Sequence, residues 1–384
     1  MHARTVLAAG IALWGLTASI ATAVPPPLPA EHLDVTRLPP RTPHWVFVYD
    51  AAITYETDAR YYVYDGDHNR LLGQIDAGYY PGFALAPDGA TTAVATTYWS
   101  RGWHGTRTDV VEFTDNSTLD FKREVVLPSK RLQGPPTAFG VAYSADQHFL
   151  YVANATPATS FTVVDVAKGA VAGEIETDGC ILVIPSGARR VSSLCESGKL
   201  LTVVLDDTGH EVSRALSSAF FNVDKDPIFA QGAPSGSQVT FVSFLGEVHL
   251  VDLSGAEPRF PATWSLVTAA ERGKWRPGGT QMVAYHPKRA RLYVAMHQGG
   301  EGTHKQGGSE IWVFDTDTHK RLARWPIDSK KFGAVSALQV SPDDRPLFFA
   351  ATEDAKLLVM DPKSGAIQHV VDKVGQSPWY LVNP

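Results

Sequence analysis

The sequence predicts an all-β fold, a seven-bladed β-propeller of four-stranded antiparallel blades closed by pairing its C-terminal strand with its N-terminal strands. Three observations carry this. A strand hairpin followed by a strand ending in Asp, a turn and a further strand is written six times, beginning with FALAPDGATTAVAT and VVEFTDNSTLDFKREVVL (83–127). The Asp-ending strands start near Tyr62, Val110, Phe161, Leu200, Glu247, Glu310 and Lys356, at spacings of 48, 51, 39, 47, 63 and 46 residues. Spacings near 40–50 residues are those of propeller blades. Finally, the pieces left over at the two ends complement one another: three strands before the first repeat, one after the last.

The chain opens with MHARTVLAAGIALWGLTASIATA, in which a positive start (His2, Arg4) precedes an apolar run and small residues at Ala21 and Ala23. This predicts a cleaved secretory signal over 1–23, with the cut after Ala23. The apolar run is too short and Ala-rich for a spanning helix, and no later stretch is apolar enough for one. The Pro-rich segment 24–43 has no periodicity and reads as an extended arm, disordered unless a partner orders it. The propeller is expected over 44–384.

Naming the strands of a blade A to D from the axis outward, HWVFVYD (44–50), YYVYDGD (61–67) and LLGQID (71–76) make a B–C–D set, and PWYLVNP (378–384) supplies its A strand. Such closure removes exposed sheet edges. AAITYETDARY (51–61) is too long for a tight hairpin and is expected to project as a B–C loop. Asp65, Asp165, Asp252, Asp315 and Asp361, with Asp206 approximately, recur at equivalent positions. Carboxylates repeated around a ring cannot all serve one active site, so they read as C–D turn residues that accept backbone N–H bonds.

Cys180 and Cys195 are equidistant from the turn near Gly187–Ala188. They therefore face one another across an A–B hairpin, and export favours a disulfide between them. The longest interval holds two insertions, 265–280 and 297–309. These are either solvated decoration or functional loops. Outside the signal, only the stretch near 264–274 reads as a helix of more than a turn or two. Of the tryptophans, Trp99, Trp103 and Trp275 fall in loop-like segments and are candidates for an interface; the others read as packing between blades.

Little chemistry is visible in the chain itself. Formal charge is −6, and loss of residues 1–23 removes one Arg and no acid, giving −7. With no basic run, this argues against nucleic acid. Gly-x-Ser-x-Gly, the phosphate-binding loop and His-Glu-x-x-His are absent. DTDTHK (315–320) lacks the Gly and Glu of a calcium loop and reads as a turn. His286, His297 and His304 read as surface or hydrogen-bonded histidines. Neither a catalytic residue nor a metal site is expected in this chain.

Four segments reach further. LPSKRLQG (127–134), NATPATSFTVVDVAKG (154–169), GCILVIP (179–185) and EGTHKQGGSEIWVFDT (301–316), with DPIF, WSL and WRPGG, resemble the large subunit of aromatic amine dehydrogenase. A more distant resemblance is to the large subunit of methylamine dehydrogenase. The resemblance implies a periplasmic assembly of two large and two small subunits, with tryptophan tryptophylquinone on the small subunit and no cofactor bound by this chain. It further implies oxidative deamination of a small primary amine, with electrons passing to a small copper protein of azurin or amicyanin type. At the position where methylamine dehydrogenase has a channel-lining Phe, this chain reads Asp50-Ala-Ala-Ile-Thr-Tyr. That stretch is one residue longer and lacks Phe, which leaves Ile53, Thr54 or Tyr55 as the substrate-channel residue. The rival readings are a self-sufficient propeller hydrolase or lactonase, needing acids or histidines converging on the axis, and a non-enzymatic interaction scaffold.

Overall fold

The A–D repeat folds into seven antiparallel sheets arranged as blades around an axis. A computed structural model describes residues 36–55 and 57–384, and Arg37–Pro384 form one unit. The predicted signal and the arm up to residue 35 lie outside the described residues. The last arm residues run against blade 1, where Leu38 N–H donates to the Ser117 carbonyl at 2.8 Å.

Blade 1 comprises Gly82–Leu85, Thr91–Trp99, Arg107–Asp115 and Phe121–Leu127, and blade 2 comprises Val141–Tyr143, Phe149–Asn154, Ser160–Asp165 and Ala170–Glu176. Cys180–Pro185, Arg190–Cys195, Leu200–Leu205 and Glu211–Leu216 form blade 3; Ala233–Ser235, Gln238–Val242, Glu247–Asp252 and Trp264–Ser265 form blade 4. Blade 5 has an interrupted inner strand, Trp275–Pro277 and Val283–His286, both paired to Arg291–Gln298, followed by Glu310–Asp315 and Arg321–Pro326. Val335–Val340, Phe348–Thr352, Leu357–Met360 and Ile367–Val371 make blade 6.

Blade 7 is the composite blade: Pro378–Val382 pairs with Trp45–Asp50, which continues to Ala59–Asp65 and Arg70–Gly78. The burial pattern follows position in the blade. The B strands Trp45–Asp50 and Phe149–Asn154 are buried at every residue, whereas the D strand Ala170–Glu176 is largely exposed. A strand near the axis has neighbouring blades on both faces, so continuous apolar runs suit it; an outer strand keeps one edge in water.

One apolar cluster sits at each of the seven blade junctions. Phe83 and Val94 of blade 1 pack with Phe47, Tyr49 and Tyr61 of blade 7, and Phe349, Leu357 and Val359 of blade 6 pack with Val46, Val48 and Leu381 on its other side. Polar side chains then fix the C-terminal strand. Gln281 donates to the Leu381 carbonyl at 3.0 Å and accepts its N–H at 2.7 Å. Thr280 and Ser336 donate to the carbonyls of Trp379 and Pro378. The buried Asp50 completes the clasp, since one carboxylate oxygen accepts the N–H groups of Ala52, Gln376 and Ser377 at 2.8–3.0 Å.

Antiparallel alternation gives the ring two unlike faces. All A–B and C–D turns leave one end of the strands, and all B–C and D–A connections leave the other. The recurrent Asp residues occupy the first face as turn residues, and Asp115 belongs with them. Asp65, Asp115, Asp165, Asp206, Asp252, Asp315 and Asp361 each accept at least one N–H from two to four residues ahead. Six of the seven C–D pairs also carry a register shift just before the Asp, which turns the outer strand back on its neighbour.

Cys180 and Cys195 are cross-strand partners in blade 3 and are joined as a disulfide. The helix expected near 264–274 is not formed. The Glu271 carboxylate accepts the N–H and the hydroxyl of Thr268, as at a helix start, but Gly273 takes a φ of 82° and Trp275 is already extended, so one turn is all that fits. Among the described residues the one α-helix is Ser329–Phe332. The 265–280 insertion is likewise not all loop, because Trp264–Ser265 and Trp275–Pro277 join the sheets of blades 4 and 5.

Two outcomes follow. Asp50→Ala leaves three N–H groups at a buried site without an acceptor and should destabilise the chain by about 3 kcal/mol, read as a lowered urea midpoint. In the C–D turns, hydrogen bonds from the Ser117, Thr208 and Ser254 hydroxyls and nearby N–H groups hold the carboxyls of Asp115, Asp206 and Asp252 down at about 2. The unfolded chain, at about 3.9, takes up these protons first. Their stabilisation is therefore complete above about pH 4 and is lost as pH falls through about 2. Asp252→Asn should lower the midpoint at neutral pH and flatten its fall between those limits.

Candidate functional site

The face of B–C and D–A connections bears the long loops, and one cleft there collects the residues singled out by sequence. After Asp50, Ala52 takes a φ of 42° and Ile53–Tyr55 form a 3₁₀ turn, closed by Tyr55 N–H to the Ala52 carbonyl and Asp58 N–H to the Tyr55 carbonyl. The turn projects Ile53 and Tyr55 into solvent, 48% and 61% exposed. Opposite stand Tyr79, from the connection between blades 7 and 1, and Trp99 and Trp103, from the B–C hairpin of blade 1. Ile53, Thr54, Tyr55, Thr57, Tyr79, Trp99 and Trp103 together line a cavity of about 480 Å³.

Each wall has a structural cause. Tyr79 and Tyr80 meet edge to face at 4.8 Å, and Tyr80 has a φ of 40°. Trp99 ends a strand paired to Arg107, and the hairpin between them is closed by Ser100 and Arg101 N–H bonds to the carbonyls of Thr106 and His104. That hairpin holds Trp103 77% exposed at its tip, beside the His104 ring. Among the described residues, none of the lining side chains carries a charge. The cavity can therefore receive an apolar or aromatic group and contact a cation through ring faces; its described lining residues include neither a carboxylate nor an imidazole.

Trp103 and Trp99 thus lie at an exposed rim, whereas Trp275 does not. Trp275 is buried against Trp312 at 5.1 Å, and Arg324 lies over both rings at 4.5 and 4.7 Å. Glu310 accepts from Arg324 and from the Trp312 indole N–H, and Glu271 accepts both terminal nitrogens of Arg321. Part of the first insertion is accordingly a capped wedge of blade 5, and Trp275 is packing rather than interface.

The second insertion lines another cleft on the same face, about 530 Å³, with Phe244 and His304 stacked at 4.3 Å and Lys225, Arg276 and Glu301 at its walls. His297 is buried, bonded to Thr303 at 2.9 Å, with burial as the main cause that lowers its pKa. His286 is fully buried, with its ring nitrogens bonded to the Asp343 carbonyl and the Arg289 N–H. Among the described residues, no three of His, Cys, Asp and Glu come together as a metal site. The axial cavities at the turn face are walled by inner strands and the C-terminus, and among the described residues Arg41 is the one charged side chain on either wall.

What joins Ile53–Tyr55 to Tyr79, Trp99 and Trp103 is ring geometry, and their spacing of more than twenty residues hides it in the sequence. Loop aromatics with no core period were the available signal. With Trp103 as the outermost of these, acrylamide should quench the fluorescence of the native chain least after Trp103→Phe; an equal loss of quenching in Trp379→Phe would displace that reading.

Comparison with known proteins bears on what such a face is for. The family model described as methylamine dehydrogenase heavy chain (MADH) matches residues 43–383. The methylamine dehydrogenase heavy chain of Methylophilus methylotrophus is 27% identical over 337 residues, 87% of this chain and 82% of that one. That of Methylorubrum extorquens is 28% identical over 338 residues, 87% and 81% of the two chains. Among solved structures, the periplasmic gluconolactonase of Pseudomonas aeruginosa superposes with a TM-score of 0.59 at 17% identity, covering 88% of this chain and 98% of that one. Hydrazine synthase of Kuenenia stuttgartiensis gives 0.52 at 17% identity, covering 79% and 90%. At such identities the structural likeness concerns the propeller alone.

Proposed function

This chain belongs to the methylamine dehydrogenase heavy chain family, and from that premise we propose that it is the large subunit of a periplasmic quinone-dependent amine dehydrogenase. It serves as scaffold and channel wall for a small subunit, in an assembly of two large and two small chains. The observation that carries the reading is the uncharged aromatic cleft of Ile53, Thr54, Tyr55, Tyr79, Trp99 and Trp103 at an exposed face. Large apolar side chains gathered on a soluble surface suit a face that a partner covers.

The reaction is oxidation of a primary amine with water to an aldehyde and ammonia, releasing two electrons and two protons. Tryptophan tryptophylquinone, carried by the small subunit, supplies the electron acceptor, and a small copper protein of azurin or amicyanin type takes the electrons onward. This chain's residues bind and orient. Trp99, Trp103, Tyr79 and Tyr55 offer ring faces and edges to an aryl group, and Ile53 and Thr54 set the depth of the wall beside them. Aromatic and arylalkyl amines are the favoured substrates, because a cavity of this size and lining loses most of its contacts with a methyl group in place of a ring. Packing the cleft with a docked partner excludes water. Proton removal falls to the partner on this reading, since none of the described lining side chains is a base. The hydrolase reading has no comparable support, as the described residues of the axial walls include no Asp, Glu or His.

Co-expressed with its small subunit, the chain should co-purify with quinone absorbance and amine-oxidising activity, and should be inactive alone; activity of the isolated chain would refute the assignment. Within the complex, Ile53→Trp should raise the amine KM more than it alters reoxidation by the copper protein. Unchanged KM for both short and aryl amines would remove this loop from the channel.

A further inference from the structure

We propose that Arg131, which does not touch the cleft, is a positioning residue that sets the separation of its Tyr79 and Trp99 walls and thereby its preference for an aryl group. The inference rests on the reading of the cleft as an amine channel. Arg131 lies in the connection between blades 1 and 2 and is 3% exposed. Its guanidinium donates from Nη1 to the Tyr80 carbonyl at 2.7 Å and the Leu132 carbonyl at 2.8 Å. From Nη2 it donates to the Tyr79 carbonyl at 2.8 Å and Thr97 Oγ1 at 2.7 Å.

Two features make this more than packing. In an extended chain successive carbonyls point to opposite sides. Tyr79 and Tyr80 present theirs to the two nitrogens of a single fork, and Tyr80 holds the left-handed φ of 40° beside it. Removing the fork removes two bonds that brace that turn from below, and with them a constraint on Tyr79. Thr97, for its part, sits two residues before Trp99 on the same strand and therefore on the same face. The Thr97 hydroxyl accepts from Arg131 and donates to Asp109 at 2.8 Å, while Asp109 is fully buried and doubly bonded to Arg107, the cross-strand partner of Trp99.

One planar cation thus ties the backbone under one aromatic wall to the strand that carries another. Burial pushes the pKa of Arg131 down to about 10, and the charge of Asp109 acts against that shift. The apolar cluster between blades 1 and 2 is already complete, with Val111, Val141 and Val152 among its members. A buried cation adds a desolvation cost to that junction, and what it contributes in return is geometry.

The test uses the complex with the small subunit and two probes, 2-phenylethylamine and methylamine. Arg131→Lys replaces the fork by a point donor, and Thr97→Val keeps the fork but cuts its link to the Trp99 strand. Both should raise KM for 2-phenylethylamine about five- to tenfold while kcat stays within about twofold and the methylamine KM is unchanged. A fall in thermal midpoint with KM for both amines unchanged, or raised equally, would make Arg131 a purely structural residue and overturn the proposal. If the unsubstituted complex oxidised neither amine, the functional reading would fail instead. Arg131 would then be judged on the ¹⁹F resonance of 5-fluorotryptophan at position 99: displacement in both variants upholds its positioning role, and an unmoved resonance overturns it.

Discussion

Closure of the ring through the C-terminal strand is the constraint on which the rest depends. Each blade buries its faces only against its two neighbours, so six blades and three strands would leave one sheet without its inner strand and two junctions unsealed. Pro378–Val382 supplies that strand, and the carboxylate of Asp50 receives three N–H groups from both sides of the seam. One of them belongs to Ala52, the residue that begins the turn bearing Ile53–Tyr55. The carboxylate that shuts the propeller is therefore also the root of the cleft loop.

From this closure follows a division of labour between the faces. The turn face is stereotyped because C–D turns repeat one solution, an Asp whose carboxylate caps the backbone ahead of it. The opposite face is freer to vary, since its B–C and D–A connections pair through isolated bridges and short strands rather than one repeated turn. There the chain places the 3₁₀ turn, the Trp103 hairpin and the second insertion. Uncharged aromatic walls on that face suit the recognition of a substrate whose chemistry is carried by a docked partner, and family membership gives that partner its identity as a light chain.

Much of the fold was legible because periodic features report on it directly. The Asp-ending strands gave the blade count, the unmatched ends gave the closing blade, and symmetry about a turn paired Cys180 with Cys195. Asp115 escaped the series although its environment is the same. The stretch near 264–274 reads as a helix because Thr268 and Glu271 do form a helix start; Gly273 and the buried Trp275 stop it, a tertiary effect outside the local pattern. The cleft was legible only along one wall. Tyr79, Trp99 and Trp103 join Ile53–Tyr55 through packing of two blades, and Arg131 reaches Tyr79 across some fifty residues of chain, a relation that no spacing rule records.

On the proposed reading, this chain shapes and seals a channel while a partner carries the redox chemistry. Phenylhydrazine, which condenses with quinone carbonyls, tests it most directly when applied to the purified complex before the chains are separated under denaturing conditions and weighed. The chromophore and the added mass should then fall on the small chain, with this chain at its unmodified mass. A phenylhydrazine adduct on this chain would contradict it.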